Sequence, residues 1–123
     1  MKDQCLVIKP DGNLLLADYP HRANISEENA CLRELIGKGC EFYEAVRINF
    51  ADQRLIMLVD EEGRLKSDLQ YNSLASILYG GWIMGTALLI QADITDDGET
   101  VLYGFDYDEL LWLAERLREI KKH

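Results

Sequence analysis

Apolar positions follow two periods along this chain, and the switches between them mark its elements. Residues 4–9 (QCLVIK) and 13–19 (NLLLADY) are short apolar runs flanking Pro10, Asp11 and Gly12. An Asp-Gly step between such runs predicts a hairpin with a type I′ turn, which needs positive φ at both central residues. After the connection PHRANI, the stretch SEENACLRELIGKG changes to helical spacing, with Cys31, Leu32, Leu35 and Ile36 on one stripe. Ser26 is the expected N-cap, with Glu27 and Glu28 in the electropositive first turn and Ile25 and Ala30 at staple positions. Gly37 is placed to end that helix in a left-handed conformation.

Alternation returns at CEFYEAVRINF (40–50), where Phe42, Val46, Ile48 and Phe50 share a phase that Glu44 interrupts. A bulge, or a strand end near solvent, accounts for Glu44. RLIMLVD (54–60) is apolar in both phases, the pattern of a strand covered on both sides. DEEGR (60–64) reads as a polar turn with Gly63 at positive φ. YNSLASILYGG (71–81) predicts a short helix capped by Asn72, with Leu74, Ala75, Ile77 and Leu78 inward and Gly80 as its stop. WIMGTALLIQA (82–92) predicts a strand, and DITDDGETVLYG a polar excursion with room for a hairpin. The closing DYDELLWLAERLREIKKH predicts a helix. Asp106 and Glu109 have capping-box spacing, Leu110, Leu113, Ala114, Leu117 and Ile120 form the stripe, and Lys121 and Lys122 suit the negative end. The order β-β-α-β-β-α-β-α predicts one α+β domain over residues 1–123. It has a mainly antiparallel sheet of about five strands, two longer helices and one short one, with helices on at least one face.

ILYGGWIMGTALLI (77–90) is the most apolar run and holds three glycines. A membrane helix needs about 20 continuous apolar residues, and this run is bounded by Asn72 and Asp93. A phosphate cradle needs strand, glycine loop and helix in that order; here the helix precedes the glycines. The run therefore reads as a buried strand, with Gly80 and Gly81 as helix-stop and turn residues and Gly85 as a bulge or close-packing position.

Composition narrows the partners. Thirteen basic against twenty-two acidic side chains give a net charge of −9 and a pI near 4.6. Such a surface repels nucleic-acid phosphates and anionic lipid, and favours basic partners or simple solubility. Hydrophobic content of 48% fits a globular domain. Cys5, Cys31 and Cys40 are widely spaced without a CxxC pair, which suits reduced thiols in a cytoplasmic protein. The opening MKDQCLVIKPDG lacks the pattern of a signal peptide.

Catalytic chemistry has few carriers. The histidines are His21, in a connection, and the terminal His123, and no GxSxG or SxxK occurs. Asp93, Thr95, Asp97 and Gly98 match early positions of a calcium loop, but Gly104 stands where the bidentate Glu belongs, so acidic turn chemistry is expected there. Trp112 falls off the stripe of the last helix and is an interface candidate. Tyr71, Tyr79 and Trp82 bracket the short helix and could line a shallow pocket beside the Gly80–Gly81 turn.

The segment LVDEEGRLKSDLQYNSLASILYGGWIMGTALLI resembles an uncharacterised family, a domain of unknown function met in phages, plasmids and conjugative elements of bacteria. The matching positions are Glu61, Glu62, Gly63, Arg64, Leu65, Leu69, Asn72, Gly80 or Gly81, and Gly85. The resemblance implies a bacterial mobile-element setting and no chemistry. The leading expectation is a non-enzymatic protein-interaction module that binds a protein partner or itself as a homodimer, with Asn72, Tyr79, Trp82 and Trp112 as binding residues. It needs no cofactor or metal and binds neither nucleic acid directly nor membrane. One alternative is a DNA mimic or anti-defence inhibitor, which requires the carboxylates to converge. Another is a nucleotide-binding protein, with Arg64 and Lys66 as the nearest basic groups.

Overall fold

The computed structural model describes residues 2–22, 24–37, 39–51 and 53–121, with the side chains of Arg54, Arg64 and Lys121 outside that description. The roles expected of Arg64, Lys121, Lys122 and His123 therefore fall outside the described residues. The elements run β1 (Gln4–Ile8), β2 (Leu14–Asp18), α1 (Ile25–Ile36), β3 (Tyr43–Phe50), β4 (Gln53–Asp60), a 3-10 turn (Gly63–Leu65), α2 (Ser73–Tyr79), β5 (Ala87–Ile94), β6 (Thr100–Tyr103) and α3 (Tyr107–Lys121). The α+β class and the order of elements are as expected. The polar excursion closes as a hairpin through β6.

All strand pairs are antiparallel, in the order β2-β1-β5-β4-β3, with β6 pairing β5. The first half of β5 lies between β1 and β4, with Leu88 opposite both Val7 and Leu58. Its second half pairs β6, from Gln91 opposite Tyr103 to Ile94 opposite Thr100. Alternate side chains build two cores. Leu6, Ile8, Val46, Ile48, Leu55, Met57 and Leu89 face α2 and α3, meeting Leu74, Leu110, Leu113 and Leu117. Cys5, Val7, Leu58, Leu88 and Ile90 face α1, meeting Leu32 and Ile36. The sheet is thus sandwiched, which explains why β4 and β5 are apolar in both phases.

Several local expectations change. In the first hairpin only Gly12, at φ 91°, has positive φ, and its N–H donates to the Lys9 carbonyl at 2.9 Å. Pro10 fixes φ near −65° at the first corner, so a three-residue loop with one left-handed glycine replaces the type I′ turn. Asn24, not Ser26, caps α1, its Oδ1 accepting from the N–H groups of Ser26 (2.8 Å) and Glu27 (3.4 Å). Ile25 is exposed and makes no staple. Gly37 is extended, at φ 158° and ψ 155°, rather than left-handed. Gly63 opens the 3-10 turn; what it supplies is space, because an added Cβ would meet the Met84 carbonyl at 3.1 Å. Residues 82–86 precede β5 instead of belonging to it, held by a bridge between Tyr71 and Met84. Gly85 packs against Leu69 there, as a close-approach position. Gly80 does end α2 in the left-handed region, at φ 80°, donating to Ser76 O at 2.8 Å.

Candidate functional site

The short helix α2 is pinned by polar groups at its start. Asn72 is fully buried: its Nδ2 donates to the carbonyls of Ile8 (2.9 Å) and Gly85 (2.8 Å), and its Oδ1 accepts from Ala75 N–H at 3.0 Å. The Ser76 hydroxyl donates to Asn72 O at 2.6 Å and accepts from Ile83 N–H at 2.9 Å. Ser76 consequently takes an inward place, and Ile77, expected on the inner stripe, is exposed. Asn72 is a cap and a strut with no atom turned toward a ligand.

This anchoring sets the far end of α2 against the open end of the β3–β4 pair, and a cleft of about 230 Å³ lies between them. Val46 and Val59 form its apolar lining, Glu44 and Glu61 its acidic lining, and Tyr79 and Trp82 its aromatic wall. Glu44 stands opposite Val59, and Glu61 N–H donates to Phe42 O at 3.0 Å. The two glutamates are therefore diagonal neighbours across the strand pair, about 7–8 Å apart by strand geometry. Glu44 interrupts its strand's apolar phase because it sits at this solvent-facing end.

Asp60 is buried and bonds Lys66 Nζ at 2.6 Å and Glu62 N–H at 2.9 Å. Lys66 also donates to Gly39 O at 2.9 Å. Its bond to the Asp60 carboxylate holds the Lys66 ammonium above the usual lysine range. Of the two cations expected near an anionic ligand, Lys66 is thus committed to a structural carboxylate. Among the described residues no ion pair forms on Glu44 or Glu61.

The aromatic side chains remain accessible. Trp82 is 69% exposed and Tyr79 42%. The Tyr79 ring lies over Gly81, whose added Cβ would meet it at 3.2 Å. Tyr71 meets Trp82 edge-on at 6.0 Å but does not line the cleft. Trp112 lies apart on α3, 39% exposed, with the Arg116 guanidinium 5.0 Å from its ring centre. Of the four expected binding residues, the structure brings Tyr79 and Trp82 together and leaves Asn72 and Trp112 elsewhere. Glu44 and Glu61 are not legible as a pair in the sequence, since only the β3–β4 register unites them; the break in alternation at Glu44 is the available signal.

A larger, more open groove of about 520 Å³ crosses the end of β3, β4 and β5, lined by Arg47, Asn49, Ile56, Asp93 and Ile94 among others. Asp93 lies in β5, and residues 95–99 form the tight turn to β6, with Gly98 N–H donating to Thr95 O at 2.9 Å and Thr95 N–H to Glu99 O at 2.8 Å. Among the described residues, no group of three ligand-type side chains could hold a metal ion, and no helix is long and apolar enough to cross a membrane. No family model, curated protein or solved structure matches the chain. What the fold and the cleft define is a three-layer α+β protein with one acidic, aromatic-walled recess.

Proposed function

We propose that this protein is a non-catalytic interaction module that binds a basic segment of a protein partner at the Glu44–Glu61–Tyr79–Trp82 cleft. The observation that carries the reading is the juxtaposition of accessible aromatic side chains with two carboxylates that form no ion pair among the described residues, on a protein of net charge −9. Aromatic side chains supply contact area at little entropic cost, and the acidic field steers a basic partner toward them. The rival readings have weaker support. Glu27 and Glu28 sit on α1 and Asp108 and Glu109 on α3, helices packed on opposite faces of the sheet, so these carboxylates do not gather into one DNA-like array. A nucleotide would meet carboxylates where it needs cations. The unpaired cysteines support a reducing, cytoplasmic setting, and the mobile-element setting is tested by the genes flanking this one.

The direct test is affinity capture from the native host with wild type, Trp82→Ala and Trp112→Ala proteins, read by mass spectrometry. The module reading expects one stoichiometric partner that Trp82→Ala loses and Trp112→Ala keeps. Equal capture by all three proteins would remove the cleft from the interaction.

A further inference from the structure

We propose that the cleft accepts one arginine side chain of that partner, its guanidinium set between the Glu44 and Glu61 carboxylates and against the Tyr79 and Trp82 rings. The proposal rests on the interaction-module reading and specifies its chemistry. Four observations converge on it. The first is size: about 230 Å³ is below the roughly 300–1,000 Å³ of pockets that enclose drug-sized molecules, and suits a single side chain.

The second is charge. Glu44 and Glu61 are diagonal across an antiparallel pair and both line the cleft. Like charges in that relation repel one another. Lys66 is fixed to Asp60 at 2.6 Å and to Gly39 O at 2.9 Å, and alternation along β4 turns the Asp60 side chain to the sheet face opposite Val59 and Glu61, so this cation does not serve the two glutamates. A cation from outside relieves the repulsion at the rim. The third is the donor set: the described carboxylates do not converge as metal ligands, whereas a planar group with five N–H donors reaches two separated carboxylates at once. The fourth is the wall. Guanidinium is weakly hydrated and stacks on aromatic rings more readily than ammonium does, and the partly exposed side chains of Tyr79 and Trp82 line the cleft with the two carboxylates.

The experiment uses the full chain labelled with ¹⁵N and a Gly-Gly-Arg-Gly-Gly peptide blocked at both ends, with lysine and citrulline peptides as controls. The two tryptophans give two indole N–H resonances, assigned with Trp112→Phe. The proposal expects the arginine peptide to move the Trp82 resonance saturably and leave Trp112 in place. It expects citrulline, which is neutral and of the same shape, to do nothing, and lysine to bind several-fold more weakly. Raising salt from about 0.05 to about 0.5 M weakens the shift, since screening shortens the reach of exposed charges. Glu44→Gln/Glu61→Gln, a change of two exposed side chains that leaves the fold intact by melting temperature, weakens binding at least tenfold.

No Trp82 shift at about 10 mM peptide, above a millimolar Kd, would overturn the proposal. So would an equal response to citrulline or lysine, or unchanged binding by the double variant. The two readings fail separately. If Trp82→Ala loses the captured partner while the arginine peptide does not bind, the module stands and the arginine assignment falls. If the peptide binds but capture ignores Trp82→Ala, the arginine site stands and the partner docks elsewhere.

Discussion

The Asn72 side chain makes three hydrogen bonds inside the protein, to Ile8 O, Gly85 O and Ala75 N–H. The last is an N-cap bond; the first two tie α2 to β1 and to the segment leading into β5. The two functions separate by substitution. Asp caps helices as well as Asn does, but a carboxylate facing two carbonyl oxygens has no N–H to donate. Asn72→Asp should therefore destabilise at least as much as Asn72→Ala, with both losing about 3 kcal/mol or more by urea unfolding, since each stranded buried group costs about 1–3 kcal/mol. Near wild-type stability of Asn72→Asp would reduce Asn72 to a cap. At the same scale, burial raises the Cys5 thiol to about 11, with the Asp18 charge adding to it. Burial, with Glu28 nearby, pushes the Tyr19 phenol upward too. Both groups keep their protons longer in the folded chain than in the unfolded one. Stability from them is complete below the unfolded cysteine range and falls as pH rises through it, because the unfolded state then binds fewer protons. Denaturation midpoints should decline between about pH 9 and 11, and Cys5→Ala should flatten the lower part of that decline.

Elements show where local chemistry was legible and where register overruled it. Apolar period located every strand and helix except β6, and Gly80 and Asn72 were correctly placed at the ends of α2. Turn and cap details were not legible in the same way. Pro10 overrode the Asp-Gly signal, and Asn24 stood two residues ahead of an equally good capping residue, Ser26. The β3–β4 turn carries no glycine: Phe50 faces Gln53, and Ala51 adopts φ 52°. A left-handed alanine costs about 1–2 kcal/mol, and Asn tolerates that region better. Ala51→Asn should raise the melting temperature by a few degrees, a small gain that differential scanning calorimetry resolves. The junction of β6 and α3 points the other way. Gln4 and Phe105 exchange backbone hydrogen bonds of 3.0 and 2.6 Å, and a Cβ on Gly104 would lie 2.5 Å from Gln4 O. Gly104→Ala must push β1 and the start of α3 apart. Loss of about 2 kcal/mol or more is expected, with hydrogen exchange accelerated at Gln4 and Phe105. Unchanged protection at those two amides would show that the junction yields without cost.

At the scale of the molecule, charge is the property that sequence conveyed most directly and structure qualified most. The net −9 is evident; the pairing of Glu44 with Glu61 is not, because the sixteen intervening residues have to fold into a hairpin before the two meet. The described ion pairs engage three cations, with Lys2 on Asp106 and Glu109, Lys66 on Asp60, and Arg116 on Glu119. Exposed pairs contribute about 0–1 kcal/mol each, and they leave most of the twenty-two carboxylates repelling one another across a small body. Folding concentrates that repulsion, so screening should favour the folded state. Melting temperature at neutral pH should rise as sodium chloride increases from about 0.02 to about 0.5 M, over which the screening length falls below 10 Å. The Glu44→Gln/Glu61→Gln variant should begin with a higher melting temperature at low salt and gain less from added salt, because part of the repulsion is already gone. Chloride rather than sulfate keeps surface-exclusion effects small. A melting temperature that falls with salt would mean that the few ion pairs outweigh the surplus carboxylates, and the cleft would then have no electrostatic reason to hold an arginine.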